Sequence, residues 1–374
     1  MRRRDFLRTS ALAVAALGTG RAAAPAHAAP AVMTRTKDFI VASPWPQSAS
    51  GFSDLAFGFT RRLEQAFDGR IKCYLKTRQG GSIDALGRGG ADIHIGFEHG
   101  NVPHHAAFGY FAGLPGHMGL DSETFSDWLT RGGGQALWDA CSAQFGIKSL
   151  MIAHTATGGG LWSNDDLPAF SAKKIAAQGI ACDVLKGLGA VVSDIDMSAA
   201  GAAMASGKVD AIEVAHMIEA LETGVAGTAV AAIMPGIYRS GCTLAVSLKR
   251  ELWDSLDAGA QALVSDVAAE YSRLKTAELR ANDRMLRKVL GETHGITFLP
   301  PSAALETEIS RVAEAVVADI AARDDLSRRI NGAYMALHGL SGSIRPEQHI
   351  GSSNNADMSQ GPSQGRDLAG LEHS

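Results

Sequence analysis

The chain has 374 residues, of which 46% are apolar and 20% charged, with a formal net charge of −4. That length suits two lobes with ordinary cores better than one small domain. A weak negative charge, dispersed without runs, excludes the basic field that nucleic-acid binding needs.

Arg2-Arg3-Arg4-Asp5-Phe6-Leu7-Arg8 precedes a short apolar run, Ala11 to Leu17, and small residues ending in Ala26-His27-Ala28. This order reads as a twin-arginine export signal over residues 1–28 with an A-x-A cleavage site. The expected location is therefore the periplasm, and the twin-arginine export machinery is an expected partner. The apolar run is far shorter than the roughly 20 residues of a bilayer span, and no later segment reads as a membrane helix.

Asp38 to Ser43 reads as a strand, followed by a loop over Trp45 to Gly51 in which Pro46 and Gly51 stop any period. Phe52, Leu55, Phe59, Leu63 and Phe67 step by three and four, an amphipathic helix with a broad apolar face. Ile71 to Lys76 and Gly90 to Phe97 read as strands, the second delivering Glu98 and His99 to the edge that carries the Trp45 loop. Ser122 caps a helix with Phe125, Trp128 and Leu129, which Gly132-Gly133-Gly134 interrupts. No Lys-Ser or Lys-Thr follows those glycines, so a bend or close helix approach fits better than a phosphate loop. Ile147 to His154 is strand-like, and Thr155 to Gly160 is a glycine-rich crossing into a second lobe.

Ala172 to Glu213 organises that lobe. Strands at Lys174 to Ala176, Ala190 to Val192 and Val209 to Val214 alternate with helices at Ile180 to Gly187 and Ser198 to Ser206. Such alternation builds a parallel sheet with ligands at its carboxyl edge, so Ala176, Glu213 and the next loop are expected at a crevice. Met234 to Gly241 is a loop carrying Tyr238 and Arg239, and Cys242 to Ser247 is a strand returning to the first lobe. Helices follow at about Ala260 to Gly291 and Ala303 to Asp324. From Gly339 the composition turns to Ser, Gly, Gln, Asn and Asp, expected to be a disordered tail. The expected organisation is signal 1–28, first α/β lobe 37–153 plus about 244–258, second α/β lobe 154–243, long helices 259–338 bracing the lobes or a dimer, and tail 339–374.

Cys73, Cys141, Cys182 and Cys242 lie far apart without C-x-x-C spacing. Two readings stand, four small buried apolar residues or a disulfide between Cys182 and Cys242. Glu98 with His99, His104 and His105 reads as a zinc set or as solvated loop histidines. Trp45 and Trp162 each read as a ligand wall or as packing under a loop.

Several segments together resemble one family. They are Ser43-Pro44-Trp45-Pro46, Gly119-Leu120, Trp128 to Gln135, Lys186-Gly187-Leu188-Gly189-Ala190 and Ser206 to Glu213, with a tail helix ending in Ala333-Tyr334. Over about residues 37 to 340 the chain resembles the periplasmic solute-binding subunits of tripartite ATP-independent (TRAP) transporters, in particular the branch that binds 2-oxo acids and related monocarboxylates. The resemblance implies a two-lobe periplasmic binding protein fold, α/β in class, with a cleft between the lobes and long bracing helices. It implies capture of a small organic acid, delivery to membrane subunits of a TRAP transporter, no enzymatic activity, no cofactor beyond a sodium or calcium ion beside the ligand, and a homodimer that exchanges the tail helix.

The sequence departs from that family in the cleft. Ala176 stands where an arginine usually grips the ligand carboxylate, Glu213-Val214 where the 2-oxo acid binders have Glu-Trp, Arg239 where they have a glutamate, and Thr157 or a neighbouring glycine where they have a glutamine. The expectation that follows is a relocated carboxylate clamp at Arg239, against the alternative of a surface arginine or a salt bridge to Glu213. Tyr238, Thr157 and His154 would add hydrogen bonds, Glu213 would hold a ligand hydroxyl or a metal ion, and Trp45 and His99 would face the ligand from the first lobe. The competing functions are a sensor or scaffold that has lost its ligand, and an exported metal-dependent hydrolase using Glu98, His99 and His105. The hydrolase lacks G-x-S-x-G and H-E-x-x-H motifs.

Overall fold

The computed structural model describes residues 36–46, 51–165, 169–193 and 195–341, without the side chains of 339–341. The export signal and the polar tail beyond residue 341 lie outside them. Eleven strands are present among the described residues: β1 (Lys37–Ser43), β2 (Ile71–Thr77), β3 (Ile93–Phe97), β4 (Ile147–His154), β5 (Leu161–Ser163), β6 (Lys174–Ala176), β7 (Val191–Val192), β8 (Ala211–Glu213), β9 (Ala231–Ile233), β10 (Thr243–Lys249) and β11 (Thr297–Leu299).

They form two sheets. The first has the order β2-β1-β3-β10-β4, with β1, β2 and β3 parallel and β10 antiparallel to both of its neighbours. The second has the order β11-β9-β5-β8-β6-β7, in which β5 runs antiparallel to β8 and β9. The chain crosses from the first sheet to the second after His154 and returns before Thr243. At the outward crossing Gly158 lies against the return: a Cβ there would sit 1.9 Å from the Tyr238 carbonyl oxygen, so no larger residue fits.

The first lobe is built on aromatic packing. Phe111 lies parallel to Trp128 and to Trp138, with centroids 5.4 and 5.3 Å away, and all three side chains are fully buried. Large flat rings bury much area at little entropic cost, so a short polypeptide gains a well-defined core. The second lobe instead packs small residues, among them Ala176, Ala200, Ala203, Ala220 and Ala232, around Trp162.

The helix Ala258–His294, 37 residues long, runs along both lobes. Its first half packs on β4 and on the helix Phe52–Ala66, where Tyr271 donates from its hydroxyl to the Leu55 carbonyl at 2.7 Å. Its second half reaches β11 and the second core through Leu290. Between them Thr276 accepts from the His154 backbone N–H at 2.9 Å, and Asp283 accepts from the Thr157 hydroxyl. The helices Ala303–Ala322 and Asp325–Ser341 fold back on the same chain. Tyr334 accepts from the Leu120 N–H at 2.9 Å, and His338 lies 2.7 Å from the His117 carbonyl.

Several expectations are corrected. Cys182 and Cys242 do not form a disulfide: Cys182 donates to the Ala177 carbonyl, while Cys242 is fully buried in the apolar core. Thr297–Leu299 pairs with β9 in the second sheet, inside a region read as helices only. Ser198 does not cap the helix Ala200–Ala205, which follows Ala199 without a side-chain cap; Asp196 caps the turn before it, accepting from the Ser198 N–H. β5, β9 and the helix Met217–Glu222 had no counterpart in the sequence reading. Residues 339–341, assigned to the tail, complete the last helix.

Candidate ligand-binding cleft

A cleft of about 570 Å³ separates the two lobes. The first lobe contributes the chain leaving β1 (Pro44, Trp45, Pro46), the turn Gln79-Gly80-Gly81, and His94, Phe97 and His99 at the end of β3. The second contributes Ala177-Gln178-Gly179 after β6, residues 195–198, and Glu219 and Glu222 on the helix Met217–Glu222. These are loops and helix ends at the carboxyl edges of parallel strands, where backbone direction leaves room for a ligand.

Trp45 stacks on Phe52 at 5.2 Å and meets Phe97 edge-on at 5.8 Å, and His99 stacks on Phe97 at 5.0 Å. One wall is therefore a continuous aromatic surface. Burial lowers the pKa of both His94 and His99 to about 4, so both are neutral at pH 7. Each keeps one ring nitrogen without a hydrogen-bond partner, Nε2 of His94 and Nδ1 of His99. Gly179 closes on this wall with φ of 62°; a Cβ there would lie 2.7 Å from that of His99.

Opposite them, Glu219 accepts from the Ala215 N–H at 2.7 Å, and Glu222 accepts from the Phe52 N–H at 3.0 Å. The second bond spans the cleft: a carboxyl of one lobe caps the helix Phe52–Ala66 of the other. Desolvation raises Glu219 to about 7 and Glu222 to about 8, the neighbouring Glu219 and Asp54 charges adding to the Glu222 shift.

Of the expected site residues, Trp45 and His99 line the cleft. The other five lie outside its lining. Arg239 is half exposed and pairs with Glu306 at 3.0 Å, neither clamping the cleft nor bridging to Glu213. Tyr238 is buried one layer behind His99: its hydroxyl donates to the Gln178 carbonyl at 2.7 Å and accepts from the Ala181 N–H at 3.0 Å, which positions the wall without touching its surface. Glu213 accepts from the Tyr238 N–H at 3.1 Å, so its carboxyl fastens the loop after β9. Thr157 and His154 brace the crossing against the long helix. A loop's sequence does not encode which way its side chains point, and in this loop Arg239 turns to Glu306.

The hydrolase set is also not assembled. Glu98 accepts from Trp138 Nε1 at 2.9 Å beneath β3, His104 turns to Asp84 at 3.1 Å, and His105 to Asp324 at 3.5 Å. Among the described residues no three His, Cys, Asp or Glu side chains gather to hold an ion. A hard cation takes six or more oxygens, whereas Glu213 is held by the backbone N–H groups of Tyr238 and Ile237. Glu219 and Glu222 escaped the sequence reading; their spacing of three, closed by Gly224, was the available signal for a short helix.

No curated protein sequence matches the chain. Solved structures do. A TRAP transporter solute-binding protein from Bordetella bronchiseptica, with copurified calcium and picolinate, aligns over 83% of this chain and 94% of its own, with a TM-score of 0.77 at 17% identity. Periplasmic solute-binding proteins from Pseudoalteromonas atlantica, with sodium and pyruvate, and from Colwellia psychrerythraea, with calcium and pyruvate, both reach 0.76 over 83% of this chain and 96% of theirs, at 18% and 16% identity. At such identities the likeness is one of fold, the two-lobe α/β fold of TRAP periplasmic solute-binding proteins. The family model for bacterial extracellular solute-binding proteins, family 7, matches residues 127–324, more than half of the sequence. The chain belongs to this family of extracellular solute-binding proteins.

Proposed function

We propose that this receptor captures a small organic acid in the cleft between its lobes and hands it to the membrane subunits of a TRAP transporter. Export through the twin-arginine route and division into the lobes 37–153 with 244–258, and 154–243, belong to the same reading. The observation that carries it is the pair of unpartnered ring nitrogens on His94 and His99, buried in an interlobe cleft. A buried polar group without a partner costs about 1–3 kcal/mol, which a ligand that satisfies it returns as affinity. Each neutral ring already gives its one N–H away, His94 to Gly80 and His99 to Gln178, so the two free nitrogens accept from a ligand N–H or O–H, while the Gln79 and Gln178 amide N–H groups offer donors to a carboxylate without any ion pair. The relatives holding pyruvate and picolinate support the ligand class.

The test is a thermal-shift screen of the purified chain against small monocarboxylates, hydroxy acids and oxo acids, with and without sodium and calcium, followed by titration calorimetry. Binding to the folded state alone stabilises it by about 2.7 kcal/mol at a hundredfold excess over Kd, a shift of several degrees. Hits weakened by His99→Ala and by Trp45→Ala support the site. A folded chain that responds to no acid at millimolar concentration overturns it.

A further inference from the structure

We propose that the acid this cleft takes is a zwitterion, carrying a positively charged nitrogen that seats against Glu219 and Glu222. The inference rests on the reading of the cleft as the ligand site and goes further by fixing the ligand's charge.

Among the described residues the lining contains four carboxyls, Asp84, Asp196, Glu219 and Glu222, and neither lysine nor arginine. The internal stretches outside the described residues, 47–50, 166–168 and 194, contain neither residue as well. The two lining histidines are not hidden cations, because burial keeps them neutral. Two of the carboxyls are already matched: Asp84 faces His104, and Asp196 accepts the Ser198 N–H and hydroxyl. Glu219 and Glu222 each have one backbone N–H and no cation, and Oε2 of Glu222 has no partner at all.

A bare monoanion entering here gains no counter-charge and leaves Glu219 and Glu222 holding their protons, whereas a cationic nitrogen would let both ionise against it. A ligand nitrogen bearing a positive charge answers both, pairing with the second lobe while its own carboxylate takes the Gln79 and Gln178 amide N–H groups, and the free ring nitrogens of His94 and His99 accept from ligand N–H or O–H groups. Those histidines, each at least nine-tenths buried with a free ring nitrogen, are an independent sign that the cleft is built to be filled. The raised pKa values of Glu219 and Glu222 are what two acids lacking their counter-charge show. Among the described residues no three His, Cys, Asp or Glu side chains gather there to hold an ion in place of the nitrogen.

Titration calorimetry on the purified chain would compare matched pairs: propionate with β-alanine, butyrate with γ-aminobutyrate, cyclopentanecarboxylate with proline, and glycine betaine as a cationic nitrogen without N–H. Each acid is run with and without calcium and sodium. The expected result is that one amino member binds at least about tenfold tighter than its acid, with no requirement for added cation. Glu222→Gln and Glu219→Gln should remove that preference while Glu222→Asp keeps part of it, and unchanged melting temperatures of the empty variants would show that they fold. Equal binding of acid and amino partners, or acid binding that appears only with calcium or sodium, overturns the zwitterion while leaving solute capture intact. Absence of any binding across both series overturns the cleft reading itself.

Discussion

The two lobes solve the same packing problem by different means. The first has strands of five to eight residues and a core of stacked aromatic rings, Phe111 between Trp128 and Trp138. The second has strands of two or three residues, small side chains, and carboxyls turned inward to hold backbone: Glu213 on the Tyr238 N–H, Glu219 on the Ala215 N–H. The first lobe is therefore a rigid platform stabilised by apolar area, and the second an assembly of turns held by buried hydrogen bonds. The cleft inherits the contrast, with an aromatic and neutral wall facing an acidic one.

Truncation of the stack should test that contrast most severely. Trp138→Ala removes a fully buried ring that also donates to Glu98, and is expected to cost about 3–5 kcal/mol in denaturant unfolding. A loss under 1 kcal/mol would mean that the first lobe does not depend on its rings. In the second lobe, Glu213→Ala leaves the Tyr238 N–H without its acceptor and should cost about 1–3 kcal/mol. It should also loosen the residues behind His99, seen as faster amide exchange at Tyr238 and Ala181.

The inward carboxyls predict a pH dependence. Burial raises Glu98 to about 8 and Glu213 to about 7, so between the ordinary carboxyl value of 4.5 and these values the folded chain holds protons that the unfolded chain has released. Their contribution is complete below 4.5 and lost as pH rises through about 7 to 8. His94, His99 and His154, lowered to about 4, act in the opposite sense, their stability appearing as pH rises from about 4 to 6.5. Above 6.5 only the carboxyls act, and stability should fall up to pH 8 by about 1.4 kcal/mol per pH unit for each group still protonated. Glu98→Gln, which keeps an acceptor for Trp138 without a charge, should flatten that slope. An unchanged slope would show that Glu98 ionises freely.

The smallest effect is expected at Arg239. Its exposed pair with Glu306 contributes about 0–1 kcal/mol, and Arg239→Ala should leave the affinity for any bound acid within twofold. A tenfold loss would bring the arginine back to the ligand.

Much of this was legible in the residues. Phe52, Leu55, Phe59 and Leu63 announce their helix because burying one face forces a period near 3.6, and β1, β2 and β4 are long enough for their apolar pattern to stand out. β5, β9 and β11 are three residues each, too short to show any period, and exist because neighbours pair with them. At the cleft, Trp45 and His99 could be placed because a strand end fixes where they emerge. Glu219 and Glu222 could not, since their helix depends on His216 acting as its cap, a residue seldom used that way.

The helix Ala258–His294 sets a mechanical limit on the cleft. At 1.5 Å per residue it is a strut about 55 Å long, fastened to the first lobe through Tyr271, to the crossing through Thr276 and Asp283, and to the second lobe near Leu290. The lobes thus cannot swing as independent bodies on two strands of backbone. Any widening of the cleft has to flex this rod or unfasten one end of it, so its stiffness enters directly into how far and how fast the receptor opens.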